Sequence, residues 1–347
     1  MLIARQLLAS AALSLAGSLA LTAHPVAAFT LSAGDLVLSD SGGDRVVRFD
    51  PMARELTTIV QAAAGPTRLD IPGGVALADD GSILVIDLGL LYAVDPSTDQ
   101  LSIELRLSEL PVGNGVAVTP TGDFVVGGQD SVGGRVFLMG ATATRGGRPP
   151  ATSVLDVAVG LGGEVYVAGL LRRGAADPLV GGGIWEWDPS AGDAGFRLIT
   201  SGGSIAFPSG IAVDPRDGSL VVLDPSCDVC LRGDLDQLVR VDPLTGQQTV
   251  ITSLHRLATG EEHVAVARDG TIFVPGFREI LAVDPDDGAQ VVLYSNPGST
   301  IEFHGILVVP EPSLPLLLAA SFGAVRLAAV RRRDRSTSPL GLRQETP

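Results

Sequence analysis

The sequence predicts an all-β protein built as a six-bladed β-propeller. Three observations lead to this prediction. Glycine (43 of 347 residues) and proline (23) are abundant while only 18% of residues are charged, which is typical of short apolar strands joined by many turns. One strand pattern recurs every 41 to 54 residues. The two ends of the repeated region are complementary parts of one further repeat.

The recurring strand carries a small or polar residue before Val-Ala or a close variant. Its six copies are Gly74–Leu77, Gly115–Val118, Asp156–Val159, Gly210–Val213, His263–Val266 and Gly305–Val308. Most copies are followed by a turn such as Asp79-Asp80-Gly81, a second apolar strand, and a third strand that runs into Asp-Pro, as at Asp242-Pro243. Glycine supplies the positive φ of a tight turn, and proline lacks the amide donor that a strand needs. Four strands per repeat at this spacing predict propeller blades.

The blade count follows from the ends of the repeated region. Gly34–Val60 supplies a second, third and fourth strand without a first, whereas Phe303–Val309 is a first strand with nothing after it. Joined, they form one blade from both ends of the domain and close the ring at six, which removes free sheet edges. The predicted propeller spans residues 29–309.

Two long spacings indicate insertions between second and third strands, at Gly169–Gly183 and Pro225–Asp236. In a propeller these loops open on the face where the first strands begin. We therefore expect function on that face.

The N-terminal segment 1–28 predicts a signal peptide. Arg5 precedes an apolar run from Leu7 to Leu21, and Val26-Ala27-Ala28 offers the small residues that signal peptidase requires. An uncleaved anchor is the alternative, but it needs a longer apolar span.

The C-terminal region predicts a membrane helix. The apolar stretch Leu314–Val330 is long enough to cross a hydrocarbon core, and the cluster 331–335 that follows it would stay cytoplasmic. The helix would therefore hold the chain in the inner membrane with the propeller outside, in agreement with the signal peptide. We expect residues 336–347 to be disordered.

The order of parts in this region resembles the PEP-CTERM sorting tail of Gram-negative bacteria. The motif consists of Pro310, Glu311 and Pro312, one helix, and a basic cluster with Arg331, Arg332 and Arg333. The resemblance implies an exosortase-type processing enzyme as a partner. Arg326 inside the apolar run and the extension beyond residue 335 depart from the pattern. An ordinary C-terminal anchor is the alternative.

The charge distribution excludes some partners. All 24 basic residues are arginine, and residues 29–312 contain 17 of them against 37 acidic residues, a formal charge of −20. Nucleic acid and anionic lipid would be repelled. Calcium, a basic partner or solubility alone would suit such a surface.

Two stretches, Asp40–Asp50 and Pro208–Asp214, resemble NHL-type repeats, which are related to gluconolactonase-like six-bladed propellers. The resemblance implies the fold over residues 34–309. It does not decide function, because such propellers serve as enzymes, binding modules and scaffolds.

The residues that precede each Val-Ala core ring one mouth of the predicted channel. The candidates with polar chemistry are Asn114, Asp156, Glu262, His263 and His304. Resemblance to gluconolactonase-like enzymes implies a divalent cation, calcium or zinc, held by Asn114, Asp156 and Glu262, which would polarise a lactone carbonyl or activate water. The alternative is that these side chains are hydrated or bonded to neighbouring backbone.

Three further features have a structural and a functional interpretation. Cys227 and Cys230, the only cysteines, predict a structural disulfide in an oxidising compartment, with a redox-active pair as the alternative. Trp185 and Trp187 would share a strand face and either stack on a sugar or fill space between blades. Asp284–Gly288 has the composition of a calcium loop but lacks its closing Glu, which predicts a turn.

These observations favour an exported, non-catalytic protein of the cell envelope or extracellular matrix that uses one propeller face to bind an envelope protein or a polysaccharide. Resemblance to proteins with such tails adds a role in the biofilm matrix. The alternative is a metal-dependent lactonase or lyase of the gluconolactonase-like kind.

Overall fold

The computed structural model describes residues 30–61, 68–98, 100–107, 109–140, 143–171, 181–225, 236–254 and 263–311. Within these ranges the chain forms 24 strands in six antiparallel sheets of four strands each. Each sheet is one blade, and the prediction of six blades is confirmed.

The strands are numbered along the chain. Three strands of blade 1 come first: β1 (Leu36–Asp40), β2 (Arg45–Asp50) and β3 (Glu55–Gln61). Blade 2 contains β4 (Pro72–Leu77), β5 (Ile83–Asp87), β6 (Leu90–Asp95) and β7 (Gln100–Arg106). Blade 3 contains β8 (Val112–Val118), β9 (Phe124–Gln129), β10 (Gly134–Met139) and β11 (Thr144–Gly147). Blade 4 contains β12 (Ser153–Val159), β13 (Val165–Leu170), β14 (Gly182–Trp187) and β15 (Phe196–Ser201). Blade 5 contains β16 (Gly210–Val213), β17 (Leu220–Asp224), β18 (Gln237–Val241) and β19 (Gln248–Ser253). Blade 6 contains β20 (Ala265–Val266), β21 (Ile272–Pro275), β22 (Glu279–Val283) and β23 (Gln290–Ser295). The last strand, β24 (Phe303–Val308), completes blade 1, and short 3₁₀ turns lie at Ser41–Gly43 and Pro189–Gly195.

The ring closes through β24 and β1, as the incomplete repeats at the two ends predicted. These strands pair antiparallel with Leu36 opposite Val308. Gly34 N donates to Val309 O at 2.9 Å, and Val309 N donates to Asp35 O at 2.8 Å, which continues the pairing beyond the strands. The segments that lead into and out of the propeller are therefore neighbours.

The core consists of layers between neighbouring blades. The buried apolar residues of the described chain form six clusters, and each joins two adjacent blades. Second strands such as β5 and β17 are buried along their whole length, which explains their nearly continuous apolar sequence. First strands carry alanine, as at Ala76 and Ala158, because blades converge toward the axis and leave little room between them.

The two faces of the ring differ. We call the face on which the first strands begin the upper face and the face on which they end the lower face. The described residues that flank the two predicted insertions lie on the upper face, between β13 and β14 and between β17 and β18. Residues 30–35 and 309–311 lie together on the lower face.

Several predicted segments fall outside the described residues: the signal peptide, Pro312, the apolar stretch Leu314–Val330 and the arginine cluster after it. In the part of the chain that the structure describes, no helix has the length and apolar character needed to cross a bilayer.

Candidate functional site

The first strands of blades 3 and 4 carry a bulge near their upper ends. In β8 the pairing with β9 shifts between Gly113 and Gly115, so Asn114 is the extra residue, and in β12 it shifts between Val154 and Asp156. A bulge turns a side chain out of the regular alternation and is often found beside binding sites. Asn114 therefore owes its position to this irregularity, whereas in β12 the extra residue is Leu155 and Asp156 pairs with Ala168.

Asp156 is the centre of the polar contacts in this ring. Its side chain is 5% exposed, and its two oxygens lie within 3.0 Å of three nitrogen atoms. Oδ1 accepts from Val157 N at 2.8 Å and lies 3.0 Å from His263 Nδ1, and Oδ2 accepts from Ile211 N at 2.9 Å. One carboxylate therefore ties together the first strands of blades 4, 5 and 6.

Asn114 is also engaged with a neighbouring blade. It is 5% exposed, and its Nδ2 donates to Val154 O of blade 4 at 2.7 Å. This bond crosses from β8 to β12 and holds blade 3 against blade 4.

The two histidines of the ring lie side by side. His263 N donates to His304 O at 3.2 Å, which links blade 6 to blade 1. The structure thus brings Asn114, Asp156, His263 and His304 to one mouth of the channel, as the repeat predicted. Glu262 lies outside the described residues.

Glycines allow the first strands to approach closely. A Cβ on Gly115 would lie 2.5 Å from Asp156 Oδ1, and one on Gly74 would lie 2.6 Å from Asn114 O. At Gly305 a Cβ would lie 2.4 Å from Gly73 O. The glycines of the repeat therefore serve close backbone contact around the axis.

Two of the three predicted metal ligands, Asn114 and Asp156, form hydrogen bonds with neighbouring blades. Both oxygens of Asp156 accept hydrogen bonds from backbone amides, which leaves fewer lone pairs for a divalent ion. Among the described residues, no group of three or more His, Cys, Asp or Glu side chains is arranged to hold a metal ion.

Sequence reasoning missed a second set of aspartates on the upper face. Asp87 ends β5 and accepts from Asp70 N at 2.6 Å and Ile71 N at 3.0 Å, and Asp224 ends β17 and accepts from Ala206 N and Phe207 N. Asp40 of blade 1 bonds Glu302 N in the same way. Burial raises the pKa of Asp87. The sequence pattern that could have predicted these aspartates is a second strand of apolar residues that ends in Asp, as in β1, β5 and β17.

Blades 5 and 6 share a charged cluster on the lower face. Asp214, whose side chain is fully buried, accepts from Arg216 Nη2 at 2.8 Å and Arg240 Nη1 at 2.9 Å. Burial alone would raise the pKa of Asp214, but hydrogen bonds from Arg216 and Arg240 outweigh it and lower that pKa to about 2. A groove of about 530 Å³ runs between Arg216, Arg240 and Asp286. Its arginines are neutralised by aspartates.

The predictions for the two tryptophans, the Asp284–Gly288 turn and the cysteine pair have different outcomes. Trp185 and Trp187 are 1% and 2% exposed, and Trp187 stacks on Phe196 with ring centroids 5.5 Å apart, so both fill space between blades and neither presents a sugar platform. Asp284 forms the predicted turn by accepting from Asp286 N at 2.8 Å. Cys227 and Cys230 lie outside the described residues.

The first two residues of the predicted sorting motif, Pro310 and Glu311, lie at the lower face. Glu311 is 64% exposed in its side chain and lies 3.2 Å from Arg268 Nη1. Both residues line a cavity of about 760 Å³ whose walls also include Pro215, Val266 and Val308. The chain thus leaves the propeller at the lower mouth of its channel.

Comparison with known proteins identifies the fold. No family model matches the sequence, and no curated protein matches it. Among solved structures, the chain is similar to a nidogen/laminin complex, with a TM-score of 0.59 and 13% identity over 79% of this chain and 97% of that one.

Two enzymes share the same architecture. A gluconolactonase from Xanthomonas campestris aligns with a TM-score of 0.54 and 18% identity over 78% of this chain and 90% of that one. Virginiamycin B lyase from Staphylococcus aureus aligns with a TM-score of 0.52 and 13% identity over 81% of this chain and 88% of that one. The chain therefore has a six-bladed propeller fold that occurs both in lactonases and lyases and in a protein complex.

Proposed function

We propose that this chain is an exported, non-catalytic binding and scaffold protein of the cell envelope or extracellular matrix. The observation that carries the proposal is the state of Asp156. Its carboxylate joins three blades through Val157 N, Ile211 N and His263 Nδ1 and thereby acts as a structural brace. A catalytic carboxylate would instead have to offer its oxygens to a metal or substrate.

The positions of residues 30 and 311 support a particular orientation of the propeller relative to the membrane. The residues that follow the predicted signal peptide, 30–35, and the first residues of the predicted sorting segment, Pro310 and Glu311, lie at the lower face. A protein held by that tail would have its lower face toward the membrane and its upper face, with both insertions, toward the surroundings. The acidic surface agrees with this arrangement, since it would not adhere to anionic lipid.

Metal analysis tests the non-catalytic assignment. The full-length protein is dialysed against calcium or zinc, and its metal content and lactone hydrolysis are measured alongside a Glu262→Gln variant. Glu279→Gln is the matched control, because it removes a carboxylate from a third strand of blade 6, away from the channel. We expect less than one equivalent of metal and no hydrolysis in all three proteins.

One equivalent of metal that is lost only in Glu262→Gln would overturn the assignment. It would favour a metal-dependent lactonase or lyase with Asn114, Asp156 and Glu262 as ligands.

Replacement of Pro310, Glu311 and Pro312 by alanine tests the sorting step in a host that has an exosortase. We expect the variant to keep its C-terminal segment and to accumulate in the membrane fraction. Arg268→Ala is the control: it removes the contact with Glu311 but leaves the motif intact, and an exposed ion pair contributes little. Unaltered mass and location of the triple variant would show that the sorting assignment is wrong.

A further inference from the structure

The cavity at the lower face has apolar walls that remain open to solvent. Its volume is about 760 Å³, and it lies where blades 5, 6 and 1 meet. Its apolar lining residues stand at or just after the ends of three first strands: Pro215, Val266, Ala267, Val308 and Val309. Pro215, Val266 and Val308 are half-buried, so each keeps part of its side chain accessible. The cavity therefore offers apolar surface that the described propeller does not cover.

The charged residues of the cavity wall hold the departing chain against blade 6. Arg268 Nη1 lies 3.2 Å from Glu311 Oε2, and Asp269 Oδ1 accepts from Thr271 N at 2.9 Å. All four residues from Val308 to Glu311 line the cavity. The chain that leaves β24 therefore runs along the cavity wall and not directly away from the ring.

The sequence after Glu311 brings an apolar segment within reach of these walls. Pro312 and Ser313 are the only residues between Glu311 and the segment Leu314–Leu318, which contains four leucines. A residue spans at most about 3.6 Å, so the Cα atoms of Glu311 and Leu314 lie within about 11 Å of each other. A tether this short gives an effective concentration on the order of millimolar, which a separate molecule reaches only when it is abundant.

Two other occupants suit the cavity less well. The apolar run of the predicted signal peptide ends at Leu21, twelve residues before Ala33 in the cavity wall, and cleavage of segment 1–28 would remove it. A second copy of the chain would bring two lower faces together, and two domains with a formal charge of −20 repel each other. The segment Leu314–Leu318 is both the nearest candidate and an apolar one.

We propose that the lower-face cavity binds the segment Leu314–Leu318 of the same chain when no membrane is present. The leucine side chains pack on Pro215, Val266 and Val308, and this contact removes apolar surface from water. It also holds the predicted sorting motif against the propeller until a bilayer takes up the same leucines. The proposal rests on chain connectivity and does not depend on whether an exosortase processes the tail.

Photo-crosslinking from the cavity wall identifies the occupant. The full-length chain is made at low concentration by cell-free translation without membranes or detergent. A benzophenone amino acid replaces Arg268, whose side chain is 73% exposed, and the matched control carries it at Leu244, which is 86% exposed in a lower-face turn outside the cavity. We expect a link within one chain from position 268 to residues 312–320, located by mass spectrometry of the digested product, and none from position 244.

Every other result of this experiment would overturn the proposal. A link from position 268 to the N-terminal segment, to a second copy of the chain or to another protein would assign the cavity to a different occupant. No link at all would show that the segment does not enter the cavity.

Two pairs of leucine substitutions test the apolar nature of the contact. Leu314→Ser combined with Leu316→Ser lies outside the propeller and should lower the yield of the link from position 268 by about five-fold or more, because it removes apolar surface from the segment. Leu340→Ser combined with Leu342→Ser is the matched control further along the tail and should keep the parent yield. Equal yields in the two double variants would contradict the assignment of the segment.

Detergent provides a further readout with the same probe at position 268. Micelles of dodecyl maltoside offer the leucines another apolar environment, so their addition should lower the yield of the link as much as the serine substitutions do. A yield that detergent leaves unchanged would overturn the proposal. Such a failure would leave the sorting proposal standing, because that proposal is tested by processing and location in the host.

Discussion

Asp156 and His263 lie two blades apart, yet Asp156 Oδ1 and His263 Nδ1 are separated by 3.0 Å. The residue at the equivalent position of the blade between them is Gly210, and the next residue, Ile211, donates its amide to Asp156 Oδ2. Two of the six equivalent ring positions thus carry ionisable side chains, and these two are in contact.

We expect Asp156→Ala to destabilise the propeller by about 2–4 kcal/mol, because it leaves buried amides of Val157 and Ile211 without an acceptor and His263 without its partner. The free energy of unfolding is measured by chemical denaturation. Asp269→Ala, in an exposed turn of the lower face, is the control and should stay within about 0.5 kcal/mol of the parent protein. A loss no larger than that of the control would refute the bracing role of Asp156.

Acid should weaken the contact between blades 5 and 6. The pKa of Asp214 is about 2 in the folded chain, below its ordinary value of 3.8, because Arg216 and Arg240 bond the charged form. Its contribution is therefore complete above pH 3.8 and is lost as pH falls toward 2. We expect a loss of about 2 kcal/mol over this interval, measured as unfolding free energy against pH.

Asp214→Asn supplies the comparison for this pH profile. It should flatten the acid limb by the same amount. An unchanged slope in Asp214→Asn would assign the acid sensitivity to other carboxylates.

Close approach of the first strands predicts a cost for adding one methyl group at Gly115. A Cβ there would lie 2.5 Å from Asp156 Oδ1 and 2.8 Å from Val157 N, so Gly115→Ala should destabilise by about 1–3 kcal/mol through forced displacement of blade 4. Gly298→Ala is the matched control, since nothing lies within 4 Å of its Cβ position. Equal melting temperatures for the two variants would contradict tight packing around the axis.

Cys227 and Cys230 should be oxidised when the chain is in an oxidising compartment. Cys227 and Cys230 should take up no alkylating reagent before reduction and one group each afterwards, as read from the intact mass. Because the closed loop is short, reduction should lower the unfolding free energy by no more than about 2 kcal/mol. Alkylation without reduction would contradict the structural disulfide.

The sequence alone determined the architecture of this protein. Blade number, closure through β24 and β1, and the ring that contains Asn114, Asp156, His263 and His304 all follow from a repeat whose period is set by local strand and turn chemistry. These features can be predicted from the sequence because each blade repeats the same local pattern of strands and turns.

The tertiary structure decided what the ring residues do. The repeat placed Asp156 and His263 at equivalent positions, but their contact depends on the curvature of the ring and on the glycine between them, which no local pattern encodes. Periodicity records which residues occupy equivalent places in successive blades, whereas contacts across the axis and between loops arise only when the blades are assembled.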